Sequence, residues 1–424
     1  MDIKNKIERD SFLDNLYLDS KNTDKQKDRY RNLINNFTKE FSSEPEYLFS
    51  SPGRTEICGN HTDHNNGKVI AAGINLDTIA AVTPNDDNKV KLISEKFDPV
   101  FEVNLDNLEP EPNEEESTNA LIRGIASKFD DYGYEIGGFD AFISSQVGVG
   151  SGLSSSASIE VLIGTIFNSL FNANEISATE IARIGQYAEN VYFGKPCGLM
   201  DQLAIAKGGI LKIDFKEDQP KIHKMSLDQD KADFDIVIVD TGGTHADLTE
   251  DYSAIPREME VVAQEFNQSV CRNINKDKLI EKLPELREDM SDRALLRCLH
   301  FLQENKRVDE LEKTITDDHY DKFLQIIQNS GDSSFKYLQN CYTPKMPEEQ
   351  GISLALSLTD YFFDENEVRG AARVHGGGFA GTIQTFIERE KTEDYRRFIE
   401  RIFGEKSSTK LSVREHGGVR LGEI

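Results

Sequence analysis

Three stretches of the 424-residue chain gather residues that could act on a phosphate or a polyol. The first runs through Gly148, Gly150, Ser151, Gly152, Leu153, Ser154, Ser155 and Ser156. Glycines allow a backbone to approach a ligand closely, successive N–H groups form a concave anion site, and a following helix adds its positive end. The serine hydroxyls could touch phosphate or its magnesium. No Lys-Ser/Thr pair closes the loop, so it is not a Walker loop, and the Rossmann spacing is not met. The same residues would also serve as a glycine turn ahead of a capped helix.

The second stretch, SPGRTEICGNHTDHNNGKV at 51–69, sets Arg54, Asn60, His61, Asp63 and His64 between glycines. Mixed donors and acceptors suit the alternating hydroxyls of a sugar, and they suit a polar turn equally. No third ligand lies near His61 and His64 in sequence, which argues against a metal site there. The third stretch, PCGLMDQ at 196–202, places Asp201 among apolar residues, as a helix cap or a catalytic carboxylate. Glu189, in AEN, reads by itself as a surface helix residue. Gly376, Gly377, Gly378 and Gly381 are too dense for a strand interior and imply backbone crowding against a ligand or another loop.

These stretches need elements to hold them. Apolar spacing from Ile159 to Phe171 has a period near 3.6, so a buried helix is expected to begin around Ser154, directly after the glycine loop. A second helix is expected over 179–193, and strands over YLFSS, VIAAGI, TIAAV, FDAFISSQV and FDIVIVD. The run GAARVHGGGFAGTIQTF reads as strand, glycine turn and strand. Residues 256 to about 330 read as helical, with Pro256 in a first turn. The acidic run at 109–118 reads as a solvated loop. Residues 1–45 read as a helical extension, with Leu13, Leu16, Leu18, Tyr30, Leu33, Ile34 and Phe37 at helical spacing.

Bulk properties narrow the partners. The length exceeds what one hydrophobic core fills, so two domains with a cleft between them are expected, at 46–230 and 231–424. A formal charge of −26 disfavours nucleic acid and anionic membranes. The 5 cysteines show no CxxC spacing, against a disulfide framework or structural zinc. No apolar run is long enough to span a bilayer, and the opening MDIKNKIERDSFLDN lacks the apolar core of a secretory signal, so a cytoplasmic chain is expected, as a monomer.

Taken together and in order, the segments resemble the GHMP small-molecule kinases and, within them, the galactokinases. GRTEICGNHTDHNNG at 53–67 is similar to the signature G-R-x-N-L-I-G-E-H-T-D-Y-N-x-G. GVGSGLSSSA at 148–157 is similar to P-x-G-x-G-L-S-S-S-A, and AENVYFGKPCGLMDQ at 188–202 to A-E-H…G-x-P-C-G-I-M-D-Q. His245, followed seven residues later by Tyr252, and VHGGGFAG at 374–381 match two further segments. The resemblance covers the chain from Glu46 to the end, with weaker agreement from 270 to 330.

The resemblance implies an α+β fold of two domains: an N-terminal one like the second domain of ribosomal protein S5, and a ferredoxin-like C-terminal one, with the active site between them. It implies ATP-dependent phosphorylation of the anomeric hydroxyl of galactose. Asp201 would face the acceptor hydroxyl and Arg54 the transferring phosphoryl. Asn60, His61, Asp63, Gly198 and Tyr252 would contact the sugar. Gly148 to Ser156 would wrap the ATP phosphates, and Ser156 with Glu189 would hold Mg²⁺. Asp201 would act as a base or as an orienting carboxylate, held ionised by Arg54.

Four positions depart from the pattern. Glu56 stands where the family has Asn, Asn60 where it has Glu, Gly148 where it has Pro, and His375 where it has Thr. Because the family's Glu resembles a clamp on the sugar's exocyclic hydroxyl, Asn60 keeps open a related sugar, altered at carbon 6, or arabinose. A non-catalytic sugar- and ATP-binding regulator is the remaining alternative.

Overall fold

The computed structural model describes Ile7, Leu13, Leu16, Tyr17 and residues 23–96, 100–148, 152–227, 229–243 and 248–423. Leu18, Gly150, Ser151 and His245, named above, lie outside these residues. Helix α1 (Thr23–Phe41) opens the continuous chain with Tyr30, Leu33, Ile34 and Phe37 on one face. That face is fully buried against Leu48, Ile79, Ala81 and Phe142 of the first sheet, so α1 is sewn into this layer, not set apart from it. Each such side chain contributes about 1.5–3 kcal/mol by leaving water.

Strands β1 (Tyr47–Cys58) and β2 (Lys68–Pro84) pair antiparallel along nearly their whole length. The register shifts between Pro52 and Arg54, where proline cannot donate to the ladder, and the irregularity turns Arg54 toward the site. β3 (Lys89–Ser94), β4 (Phe101–Asn104) and β5 (Phe139–Ser145) extend the sheet on one side. β6 (Ile210–Asp214) and β7 (Lys221–Met225) continue from the other half of β2. The helices α2 (Thr118–Asp131), α3 (Ser155–Phe171), α4 (Ala178–Tyr187) and α5 (Met200–Lys207) cover one face, burying Ile122, Phe129, Ile163, Phe167 and Leu203 against Val82, Phe139 and Ile143.

The second layer is a four-stranded antiparallel sheet in the order β11-β8-β10-β9 among the described residues. Its strands are β8 (Phe234–Asp240), β9 (Gly370–Val374), β10 (Thr382–Glu388) and β11 (Ser408–Leu411). Helices α6 (Thr249–Gln264), α7 (Lys276–Asp289), α8 (Asp292–Thr316), α9 (Tyr320–Ser333) and α10 (Gly351–Asn366) lie between β8 and β9. With α11 (Thr392–Phe403) between β10 and β11, this is the split β-α-β-β-α-β order of ferredoxin-like sheets. A common core joins the layers, with Ile57, Ile70 and Ile74 against Ile236, Ile238, Phe323 and Phe386. The chain end then returns to the first sheet, where β12 (Val419–Arg420) pairs with β1. The fold is α+β, as the resemblance implied.

Local expectations needed correction at three places. Pro256 lies inside α6 and not in its first turn, because the helix already begins at Thr249. The helix expected over 179–193 is α-helical only to Tyr187 and then widens to a π-turn over Ala188–Phe193. The acidic run at 109–118 is not wholly solvated: buried Glu114 holds Arg123 through two 2.8 Å hydrogen bonds. Among the described residues no helix is long and apolar enough to cross a membrane, and all 5 cysteines are free thiols.

Candidate active site

The geometry centres on Arg54. Its Nε and Nη2 donate to Asp201 Oδ1 and Oδ2, each at 2.7 Å, and its Nη1 donates to the carbonyl of Gly152. Ser154 Oγ also donates to Asp201 Oδ2. One guanidinium therefore joins β1, the glycine loop and α5. The bidentate geometry is the strong form of an ion pair, with the Arg54 side chain 7% exposed and the Asp201 side chain 29%. Burial would raise the Asp201 carboxyl, but the charge and hydrogen bonds of Arg54 and the Ser154 hydroxyl outweigh it and hold it below the usual carboxylate range.

The capping alternatives fall away on this geometry. Ser154 stands at φ 59°, ψ 64°, in the left-handed region, and gives α3 no side-chain cap because its hydroxyl is turned to Asp201. A non-glycine residue held there costs on the order of 1 kcal/mol, which the surrounding bonds must offset. Asp201 is the second residue of α5 and likewise makes no cap. The loop is tightly seated, since a Cβ at Gly152 would come within 2.9 Å of His375 Nδ1 and Thr382 Oγ1. His375 is buried between Thr55 Oγ1 at 3.0 Å and Thr382 Oγ1 at 3.2 Å. Burial and the charges of Arg54 and Arg373 keep its imidazole neutral.

Beside this pair, Ser156 Oγ donates to Glu189 Oε1 at 3.0 Å, and Lys195 Nζ stands 3.6 Å from the same oxygen. Glu189 is not a surface residue, its side chain being 4% exposed in the π-turn. No cluster of three or more His, Cys, Asp or Glu that could cage a metal occurs among the described residues. One carboxylate and one hydroxyl, both hard oxygen donors, fit Mg²⁺, which takes few protein ligands and completes its shell with water and phosphate oxygens.

On the acceptor side, Asp63 Oδ1 accepts from the backbone N–H of His64 at 3.0 Å. A Cβ at Gly198 would overlap the Asp63 carboxylate, so only glycine permits this approach. His61 donates from Nε2 to the carbonyl of Gly377 at 2.9 Å. Burial pushes its imidazole down to about 3, against the pull of that carbonyl, so Nδ1 is left as an acceptor. Tyr252 lies against Gly377 and donates to the carbonyl of Gly378 at 3.1 Å. Asp63 thus meets Gly198 just ahead of α5, while His61 and Tyr252 meet at the glycine turn of Gly377 and Gly378.

Asn60 differs from the expectation of a sugar contact. It is 1% exposed, and its side chain is committed to the protein on both sides, to Glu56 and Gly376 through Nδ2 and to Ser334 and Asn340 through Oδ1.

Two residues escaped the sequence reading. Gln202 Nε2 donates to Glu189 Oε2 at 3.0 Å and to Glu160 Oε2 at 2.9 Å, holding the Glu189 carboxylate from behind. Burial, with the Glu189 charge, raises the Glu160 carboxyl well above its ordinary value. An acidic residue inside an otherwise apolar buried helix was the available signal.

Comparison with known proteins identifies the family. Residues 35–84 match the galactokinase galactose-binding signature, and residues 120–209 match the GHMP kinases N terminal domain. A galactokinase of Actinobacillus pleuropneumoniae is 32% identical over 354 residues, covering 82% of this chain and 87% of that protein. One from Clostridium beijerinckii is 31% identical over 379 residues, covering 85% and 92%. The structure of Lactococcus lactis galactokinase complexed with galactose superposes with a TM-score of 0.78 at 25% identity, covering 92% of this chain and 99% of that one. Methanococcus jannaschii mevalonate kinase shares the fold, with a TM-score of 0.61 at 18% identity over 86% of this chain and 98% of that one. At 31–32% identity over four-fifths or more of each protein, the chain belongs to the galactokinase family of GHMP kinases.

Proposed function

We propose that this protein transfers the γ-phosphoryl group of ATP to the anomeric hydroxyl of galactose, giving α-galactose 1-phosphate and ADP. The observation that carries the reading is the Arg54–Asp201 pair, placed where the sugar-signature strand meets the phosphate loop. The sugar oxygen forms the new P–O bond as the bond between the γ-phosphorus and the β–γ bridging oxygen breaks. In such a loose transition state most catalysis is positioning and charge stabilisation. Arg54 faces the charge on the transferring oxygens. Asp201, held ionised, accepts a hydrogen bond from the attacking hydroxyl and orients it. Its depressed basicity fits transfer of the proton to a carboxylate oxygen late, once the hydroxyl oxygen has begun to bond.

Ser156 and Glu189 would hold Mg²⁺, which when bound supplies neutralising charge to the nucleotide's phosphate oxygens. Gln202 fixes the Glu189 carboxylate, and the glycine loop contributes neutral N–H donors. Asp63, Gly198, His61 and Tyr252 would form the sugar site.

A panel of sugars in a coupled ADP-release assay tests this reading. Galactose is expected to be turned over, and glucose at least about a thousandfold less efficiently, because a site built to bond a hydroxyl rejects its misplaced epimer strongly. Excess chelator should abolish turnover. Turnover of glucose matching that of galactose, or full activity in chelator, would remove the assignment. A second reading, a kinase for a galactose altered at carbon 6 or for arabinose, is favoured by the commitment of Asn60 to protein partners. Faster turnover of such a sugar than of galactose would select it.

A further inference from the structure

The loop between β1 and β2, residues 59–67, lies inside the stretch that matches the galactose-binding signature and carries His61 and Asp63. Its path needs support from outside: His61 stands at φ 55° and Asn66 at φ 57°, left-handed values that a non-glycine residue keeps only where its surroundings impose them. The support comes from the other layer, along one face of α8. His300 and Glu304, four residues apart and both fully buried, meet the incoming foot of the loop. Glu304 Oε1 accepts from the backbone N–H of Gly59 at 3.1 Å, and His300 Nε2 lies 3.0 Å from the carbonyl of Asn60. A carbonyl can only accept, so Nε2 carries the ring hydrogen and Nδ1 accepts from the Ser333 hydroxyl at 2.9 Å. Asn305 and Asp309, again four apart, meet the outgoing foot. Asn305 Oδ1 accepts from the backbone N–H of Lys68 at 2.7 Å, and Asp309 Oδ2 pairs with Lys68 Nζ at 2.5 Å. Glu304 is itself fixed by Arg307 Nε at 2.6 Å and Ser330 Oγ at 2.5 Å, and Asn305 by donation from Nδ2 to the carbonyl of Phe301 at 3.0 Å. This face of α8 lies outside both family-matched stretches, 35–84 and 120–209.

We propose that His300, Glu304 and Asn305 are positioning residues for the acceptor: gripping both feet of the loop with side chains locked in α8, they set where His61 and Asp63 stand. The three bonds go to the N–H of Gly59, the carbonyl of Asn60 and the N–H of Lys68, backbone groups at the point where β1 has ended and β2 begins. The grip therefore acts on the path of the loop, whatever side chains the loop carries. Loss of one bond leaves a backbone group without its partner and frees that foot to move. His61 and Asp63 then sample a wider range of positions, and the cost falls on the acceptor. The nucleotide side is spared, because Ser156, Glu189 and Gln202 are tied to one another and not to α8. That the loop touches the sugar rests on the galactose reading above; the grip of α8 does not.

The test uses His300→Leu, Asn305→Leu and Asn305→Asp in the full chain, with two readouts: amide hydrogen exchange of the peptide spanning 59–68, and KM for galactose and for ATP. Each leucine variant is expected to speed exchange across 59–68 at least about tenfold, while α3 and β8 exchange as in the parent. Each should also raise the galactose KM at least about tenfold and leave the ATP KM within about threefold. Asn305→Asp keeps an acceptor facing the Lys68 N–H, so it is expected to return both readouts most of the way to the parent. The proposal is overturned if exchange across the loop is parental in both leucine variants. It is equally overturned if exchange rises evenly along the chain, which is general destabilisation, or if the ATP KM rises as far as the galactose KM. Should His300→Leu fail to fold, Asn305→Leu carries the test with the same outcomes, its side chain being only half buried. A parent inactive on galactose would sink the galactose reading, and hydrogen exchange would then decide the grip by itself.

Discussion

Asp201→Asn and Arg54→Ala are each expected to lower kcat about a hundredfold or more while the proteins remain folded. The asparagine keeps the size of Asp201 but removes the charge that Arg54 matches through two 2.7 Å bonds, and it cannot take the proton of the attacking hydroxyl. Loss of Arg54 removes the guanidinium paired with Asp201 and frees the carbonyl of Gly152, which it now holds. Interactions used mainly in the transition state appear in kcat, with smaller effects on KM, and removing one such group is worth roughly 10²–10³. Because the pair acts as a unit, the double variant should be little worse than the poorer single one. Circular dichroism and galactose binding check that the fold persists. Near-parental turnover in both single variants would take this pair out of the mechanism.

The largest expected effect on stability lies away from the site, at Asp77. This fully buried carboxylate accepts from Arg29 Nη1 at 2.5 Å, Tyr17 OH at 2.6 Å, Ser50 Oγ at 2.5 Å and Arg414 Nη1 at 3.0 Å. It is the anion shared by α1, β1 and the chain end. Asp77→Ala leaves two guanidinium groups without their counter-charge and is expected to cost on the order of 3–5 kcal/mol. In a calorimetric scan that is a fall of several degrees in the midpoint. An unchanged midpoint would show that the network contributes no stability. The pH dependence follows from the same contacts. Burial would raise the Asp77 carboxyl, but the charges of Arg29 and Arg414 and the hydroxyls of Ser50 and Tyr17 hold it below its ordinary value. A carboxylate depressed in the folded state adds stability that is complete above its unfolded pKa, about 3.9, and that drains away as pH falls through the lower folded value. Acid unfolding should therefore begin below about pH 4 in the parent and be less steep in Asp77→Ala.

The elements whose side chains answer to a single neighbour were legible in the sequence. Phe234–Asp240 is apolar on both faces, and the structure buries it between two layers as β8. The stripe from Ile159 to Phe171 placed α3 within one residue of its start. What sequence could not supply was the partner across the fold. The spacing of Tyr30, Leu33, Ile34 and Phe37 announces a buried face but not the sheet it meets. Glu114 reads as one more acid in an acidic run until Arg123, nine residues on, is seen to reach it. Proline is tolerated in a first helical turn, so Pro256 by itself suggests a helix start, whereas α6 already begins at Thr249 and buries Ala254 and Ile255 ahead of it. At the site, the residue types of Arg54, Asp63 and Asp201 were legible because each brings charge to a glycine-bounded loop. Asn60 was not, since an amide serves a ligand or a neighbouring loop equally well, and its neighbours Asn340 and Gly376 lie about three hundred residues away. Gln202 is no more legible, a neutral amide next to a carboxylate in sequence.

The return of the chain end to the first sheet bears on how the protein is made. Strand β12 closes the edge of β1, Leu421 N–H bonds to Leu48 O, and Arg414 reaches Ser50 and Asp77 from the last segment. Domains generally fold in order as they leave the ribosome, at about 5–20 residues per second. Here the sheet that forms from the earliest strands keeps the edge of β1 open, and Asp77 has Arg29 but not yet Arg414 as a partner, until residues 414–421 emerge. The second layer is therefore made before the first can reach its full stability, and a nascent chain stalled short of Arg414 is a partly closed species with an exposed strand edge.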